Sequence, residues 1–147
     1  MPLEATQQQR RRWMSALAKA PETDLRQAWQ ALRLQPAYQV LRKPEIGLTM
    51  VRGRAGGDGA PFHLGEMTVT RCSVALDDGT VGHAYVSGRR PWHAETAAVC
   101  DALLQSSPDL IGPLIEPLEK AQAERRRAAR AKAEATRAEF FTMVRGE

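Results

Sequence analysis

The sequence is poor in the residues that build metal sites and disulfides. Its 147 residues include only two cysteines, Cys72 and Cys100, and three histidines, His63, His83 and His93. None of them follows a Cys-x-x-Cys or His-x-x-x-His spacing, so the sequence does not support a metal site in this chain. We expect both cysteines to be buried thiols that pack as small hydrophobic residues.

Long apolar runs are also missing. No run approaches the length of a membrane-spanning helix, and the first twelve residues include three glutamines and three arginines but no signal-peptide stretch. We therefore expect a cytoplasmic protein that does not bind membranes. Hydrophobic content of 43% and charged content of 26% are typical of a folded chain, and the length predicts a single domain over residues 1–147.

A catalytic constellation is absent as well. The sequence contains no serine-nucleophile motif and no paired carboxylates, so we expect no catalytic residue in this chain. Residues 53–59 are rich in glycine, yet they fit neither the Walker A loop nor the dinucleotide fingerprint. Such a block can cradle a phosphate through backbone N–H groups, but it is more often a hairpin connection.

Apolar residues recur at helical spacing in three places. Two stripes precede and follow Pro21 and predict two N-terminal helices, and a third follows Pro91, which suits the first position of a helix. The stripes consist of Trp13, Leu17 and Ala20, then Leu25, Ala28, Trp29 and Leu32, and finally Trp92, Thr96, Val99, Cys100 and Leu103.

Four segments between these helices have the composition of strands. They are residues 38–43, 46–52, 67–76 and 80–87. Pro44 is predicted to break the first two apart, and Asp77-Asp78-Gly79 is a hairpin signal between the last two. The sequence therefore predicts an α+β fold with a small antiparallel sheet of about four strands.

The C-terminal arm, residues 118–147, is the most unusual segment. It is predicted to be helical from Leu118 to about Phe141, with no large apolar residue before Phe140 and a seam of alanines instead. Either the helix is simply solvated, or the seam packs closely against another element. The apolar end favours a docking arm. The candidate partner-docking residues are Phe140, Phe141, Met143, Val144 and Arg145.

The net charge of +4 suits any anionic partner. Arg89, Arg90 and His93 surround the predicted helix start at Pro91, where N–H donors favour anions, so they are candidate anion-binding residues. The arginines could instead form ion pairs with a partner subunit, and His93, which follows Trp92 of the apolar stripe, could be structural. A nucleic-acid-binding or scaffold protein is the alternative function, but four glutamates interrupt the basic helix and weaken a phosphate-tracking face: Glu119, Glu124, Glu134 and Glu139.

In the order and spacing of several short blocks, the sequence resembles the PhnG family. Members of this family are small subunits of the bacterial carbon–phosphorus lyase system. The resemblance runs from Trp13 to the C-terminus. The blocks are Gly56-Gly-Asp-Gly59, Phe62, Gly65-Glu66, Thr70-Arg71, Asp78-Gly-Thr80, Gly88-Arg89, His93-Ala-Glu95 and Phe140-Phe-Thr-Met-Val-Arg-Gly146.

This resemblance implies a function that the residues alone do not. It implies a heteromeric complex with PhnH, PhnI and PhnJ subunits that degrades alkylphosphonates. The PhnG-type subunit is then needed with PhnI to make ribose 1-methylphosphonate 5-triphosphate from ATP and methylphosphonate, with release of adenine. The resemblance supplies no catalytic residue, and no cofactor is expected in this subunit, with ATP a substrate of the complex. We expect the chain to self-associate or fold its tail back when isolated.

Overall fold

The computed structural model describes residues 3–54 and 59–145. Two helices come first, a three-stranded sheet follows, and two more helices end the chain. The elements are α1 (Leu3–Lys19), α2 (Glu22–Leu32), β1 (Tyr38–Arg54), β2 (Pro61–Leu76), β3 (Val81–Ser87), α3 (Pro91–Ser106) and α4 (Glu116–Arg145). The predicted α+β class is therefore confirmed.

The sheet is antiparallel with the order β1-β2-β3. All four predicted strand segments belong to it, but the break predicted at Pro44 is wrong, because β1 continues through this residue. The register shifts between Arg42 and Glu45 instead. Proline lacks an N–H and is tolerated in an edge strand with such an irregularity, so residues 38–43 and 46–52 form one long strand.

Two predicted connections lie between the strands that they were expected to join. In the turn between β2 and β3, Gly79 has a φ of 90°, a conformation that glycine adopts without strain, and the Thr80 N–H donates to Asp78 Oδ1 at 2.9 Å. The glycine-rich block joins β1 to β2, whose ends pair as Arg54 with Pro61. Its residues 55–58, and with them the phosphate-cradle alternative, lie outside the described residues.

One hydrophobic core lies between the sheet and the helices. The predicted helix stripes provide Trp13, Leu17 and Leu25, which are all buried. Cys72 and Cys100 are buried free thiols as predicted, and burial raises the pKa of Cys72 to about 11. Helix α3 contacts the sheet so closely at Gly82 that a Cβ there would meet the Ala98 carbonyl oxygen, so this position requires glycine.

Helix α4 starts where the core ends. After α3, a short 3-10 turn (Pro108–Leu110) and a π-helical turn (Ile111–Ile115) lead into it. Leu114, Ile115 and Leu118 are buried in the core, and the helix then continues to Arg145. Among the described residues, no helix is both long and apolar in the way that crossing a membrane requires.

Candidate functional site

The C-terminal arm extends away from the core. Every residue from 123 to 144 is exposed, and at 1.5 Å per residue this part of α4 is about 33 Å long. Helix α4 has 30 residues and is rich in alanine, so it can form without packing along its sides, and the exposed surface is free to contact another molecule.

Two ion pairs fix the base of the arm on the N-terminal helices. The Arg12 guanidinium donates two hydrogen bonds to Glu119, at 2.8 and 2.7 Å, and this contact lowers the pKa of Glu119. Arg125 Nη1 donates to Asp24 Oδ2 at 2.7 Å. Although exposed pairs contribute little stability, they set the direction in which the arm leaves the core.

The end of the arm presents an apolar cluster to solvent. Phe140 and Met143 are 62% and 79% exposed. The rings of Phe140 and Phe141 pack edge to face, with their centroids 6.1 Å apart. The Arg137 guanidinium lies 5.6 Å from the centroid of the Phe141 ring. Val144 is also exposed. The side chain of the fifth docking candidate, Arg145, lies outside the part of the chain that the structure describes.

A shallow groove runs along the arm toward this cluster. It is lined by residues at helical spacing, Ala129, Lys132, Ala133, Thr136, Arg137 and Phe140. The small side chains among them permit close approach of a second helix, and the two basic side chains favour an acidic neighbour. In the predicted alanine seam, residues 128, 131, 135 and 138 are likewise exposed, whereas Ala121 is half-buried.

The three anion-binding candidates all lie at the start of α3, but their accessibility to solvent differs. Arg89 is exposed, whereas Arg90 is half-buried. The Arg90 N–H donates to Thr70 Oγ1 at 2.9 Å, and its Nη2 donates to the Ala20 carbonyl at 3.3 Å. Arg90 is thus partly engaged in joining the helix to β2 and α1, while Arg89 has its guanidinium on the surface.

His93 lies inside the core and not at the surface. Its side chain is fully buried, and Nε2 lies 2.7 Å from the Leu17 carbonyl oxygen, so Nε2 must carry the proton that it donates. Nδ1 has no hydrogen-bond partner. Burial lowers the pKa of His93, and the nearby Arg90 acts in the same direction, whereas the Leu17 carbonyl and Glu22 oppose the shift.

We expect this buried imidazole to make stability depend on pH. Below the ordinary pKa of about 6.5, His93 is protonated in the unfolded chain but stays neutral in the folded protein. The free energy of unfolding therefore falls as pH decreases from that value. Above it both states are neutral and the effect vanishes. Urea denaturation at pH 7.5 and 5.5 should show this loss in the wild type. It should be smaller in His93→Gln, whose amide can still donate to Leu17; an equal loss in both proteins would contradict this assignment.

Asp101 is a polar centre of the fold that the sequence pattern does not reveal. Its fully buried carboxylate accepts hydrogen bonds from Arg10 Nε and Nη2 at 3.1 and 2.8 Å and from Trp13 Nε1 at 2.8 Å. The His83 N–H donates to it at 2.9 Å, and Gln105 Nε2 lies at 3.4 Å. Asp101 therefore joins α1, α3 and β3. These hydrogen bonds explain its burial by a structural role.

Among the described residues, no group of three or more His, Cys, Asp or Glu side chains could hold a metal ion. His93 and Glu95 do not work as a pair, because Glu95 accepts a hydrogen bond from the Tyr38 hydroxyl at 3.0 Å while His93 bonds to Leu17. The exposed surfaces of the molecule, and chiefly the arm, are therefore its candidate functional sites.

Comparison with known proteins assigns the chain to a family. The family model described as Phosphonate metabolism protein PhnG matches residues 8–146. The chain belongs to the PhnG family. The PhnG match includes the whole of α4, so the exposed arm is part of the length shared with the family and not an extension peculiar to this chain.

A curated relative within the PhnG family is similar over almost its whole length. Alpha-D-ribose 1-methylphosphonate 5-triphosphate synthase subunit PhnG of Rhizobium meliloti (strain 1021) is 47% identical over 143 residues, which are 95% of this chain and 90% of the relative. The resemblance to the PhnG family noted from the short sequence blocks is thereby confirmed.

Proposed function

We propose that this chain is an accessory subunit of an alpha-D-ribose 1-methylphosphonate 5-triphosphate synthase. The 47% identity to a subunit of that name over 95% of the chain carries the proposal. In the assembled enzyme, a transferase, methylphosphonate displaces adenine from ATP. The chain acts in phosphonate catabolism in the cytoplasm, where ATP is available, and it does so as part of the complex rather than alone.

The arm is proposed to hold the partner subunits. Its exposed length carries six basic and three acidic residues between positions 123 and 144, and its apolar end has no cover among the described residues of this chain. Burying one such aromatic side chain contributes about 1.5–3 kcal/mol. The partners are proposed to be subunits of the PhnH, PhnI and PhnJ types, and the isolated chain is expected to self-associate through the same surface.

The start of α3 is proposed as an anion contact in the assembled enzyme. Arg89 has an exposed guanidinium next to the helix N-terminus, where backbone donors and the helix dipole favour a phosphate group. Arg90 would act beside it with whatever hydrogen-bonding capacity its contacts to Ala20 and Thr70 leave. His93, which is buried, would serve by positioning the first turn of the helix.

We expect Arg89→Ala to leave the complex assembled and to lower its synthase activity. The guanidinium is exposed, so its removal should not change the melting temperature of the subunit. A lost phosphate contact should reduce activity by about tenfold or more, and the rate of adenine release measures it. Arg11→Ala, which removes another exposed cation outside the arm, is the control. Loss of assembly would instead make Arg89 an interface residue, and unchanged activity would remove it from both roles.

Co-expression with the proposed partner subunits tests the function as a whole. A tag on this chain should retain all partners through purification, and the eluate should release adenine from ATP only when methylphosphonate is added. A chain that elutes alone from such an extract would contradict the subunit role. An eluate with partners but no methylphosphonate-dependent adenine release would contradict the synthase role.

A further inference from the structure

Strand β1 is an open edge of the sheet. In the order β1-β2-β3, β1 pairs with β2 on one side only, and no strand among the described residues pairs with its other side. At 17 residues it is far longer than the five or six residues of an average strand. Natural proteins usually shorten, charge or cover such an edge because its unpaired N–H and C=O groups can pair with another chain.

Only one part of this edge is protected against the addition of another strand. Arg42, Lys43 and Pro44 protect its first half, since charges and proline oppose strand addition. Residues 46–51, Ile-Gly-Leu-Thr-Met-Val, contain neither a charge nor a proline. Such a segment is well suited to pairing with a further strand.

The same segment carries an apolar row. Ile46, Leu48 and Met50 alternate along β1, so they lie on one face of the sheet, and Leu48 is 67% exposed. Ile46 pairs with Thr70, which places the row on the face that packs against α3, beyond the part that this helix covers. A strand added at the edge would extend this row with its own apolar side chains.

The charges around the segment identify the kind of partner. Arg42 and Lys43 precede it, and Arg52 and Arg54 follow it. The nearby Glu45 is already engaged with Arg71, at 3.5 Å. Antiparallel pairing of two copies would bring the basic residues before the segment in one copy beside those after it in the other. This repulsion disfavours a second copy and favours a strand with acidic residues at both ends.

We propose that residues 46–51 accept a β-strand from a partner subunit, an extended segment with an apolar centre and acidic flanks. Main-chain hydrogen bonds supply affinity in this mode of binding, and the side chains supply specificity. The inference rests on the proposed role as a complex subunit, but it uses a surface separate from the arm. The complex is thus held at two places, by the arm and by this edge.

Hydrogen exchange of the full chain, alone and in the co-purified complex, tests the proposal. The backbone amides of residues 46–51 should exchange about tenfold or more slowly in the complex, because strand addition protects them. Protection of residues 129–144 in the same experiment reports on the arm separately. Slower exchange in the arm with no change at 46–51 would overturn the strand proposal alone. Failure of any complex to form would overturn both proposals.

Two pairs of variants sharpen the test. Leu48→Thr and Arg52→Glu, both at exposed positions, should weaken retention of the partners about tenfold each. Their controls, Leu41→Thr on the protected half of β1 and Arg11→Glu on α1, should not. Equal effects in variants and controls would overturn the proposal. So would concentration-dependent protection of residues 46–51 in the isolated chain, because it would identify the added strand as a second copy.

Discussion

Ending the chain after Arg137 is expected to leave a folded protein that no longer co-purifies with its partners. The truncation removes Phe140, Phe141, Met143 and Val144, all of which are exposed, so the core loses nothing. Four apolar side chains at about 1.5–3 kcal/mol each exceed the roughly 2.8 kcal/mol that corresponds to a hundredfold change in affinity, so we expect affinity to fall by more than about a hundredfold. Thermal unfolding measures the fold, and retention on a tagged column measures the complex.

A finer pair of variants controls for the loss of helix length. Phe140→Ala combined with Phe141→Ala should weaken retention strongly. Thr142→Ala, which removes one methyl group and a hydroxyl that donates to the Ala138 carbonyl at 2.9 Å, should not. If the truncated chain binds the partners as tightly as the full chain, the hypothesis that the arm docks the partners is wrong. If it unfolds, the tail belongs to the core of this domain.

The largest effect on stability is expected for Asp101→Ala. The substitution leaves the Trp13 indole N–H and the His83 backbone N–H without their acceptor and Arg10 without its counter-charge. Each buried donor left without an acceptor costs about 1–3 kcal/mol, so the two together cost a large share of the stability of a domain of this size. Arg10, whose side chain is 36% exposed, can be partly solvated. Urea denaturation at pH 7.5 measures the change in the free energy of unfolding.

Asp109→Ala is the matched control for this experiment. Asp109 is an exposed carboxylate in the short 3-10 turn, so its removal should change stability by less than about 0.5 kcal/mol. Asp101→Asn keeps the shape and tests charge alone, and we expect an intermediate loss. A loss for Asp101→Ala no greater than that of the control would show that the four hydrogen-bonding partners are satisfied without the carboxylate.

The core was predictable because its signal is local. Trp13, Leu17 and Leu25 recur at the helical period, and Cys72 and Val74 alternate at the strand period, so each stripe identifies its own buried face. The turn at Gly79 and the helix start at Pro91 were predictable for the same reason. Each depends on the conformational preference of one or two residues.

Features that depend on distant parts of the chain were not predictable. Asp101 meets Arg10 across 91 positions and Trp13 across 88, and no local pattern marks such a contact. Gly82 is needed only because α3 packs there. His93 was predicted to be near an anion site from its neighbours in sequence, but the direction of its ring depends on where Leu17 lies.

The candidate site was partly predictable. The arm and its apolar end could be found from sequence because an absence of large apolar residues before Phe140 followed by a cluster of them is a local signal. Ile46, Leu48 and Met50 were read only as part of a strand. Alternation shows that such residues share a face, but it does not show that the neighbouring helix ends before covering them.

Adenine release from ATP in the presence of methylphosphonate tests the subunit role most directly. It should be measured for this chain alone, for the co-expressed partner subunits alone, and for the two combined. We expect release only from the combination, because the sequence predicts no catalytic residue in this chain and the proposed role is that of an accessory subunit. Turnover by the pure chain, or full turnover by the partners without it, would contradict the account.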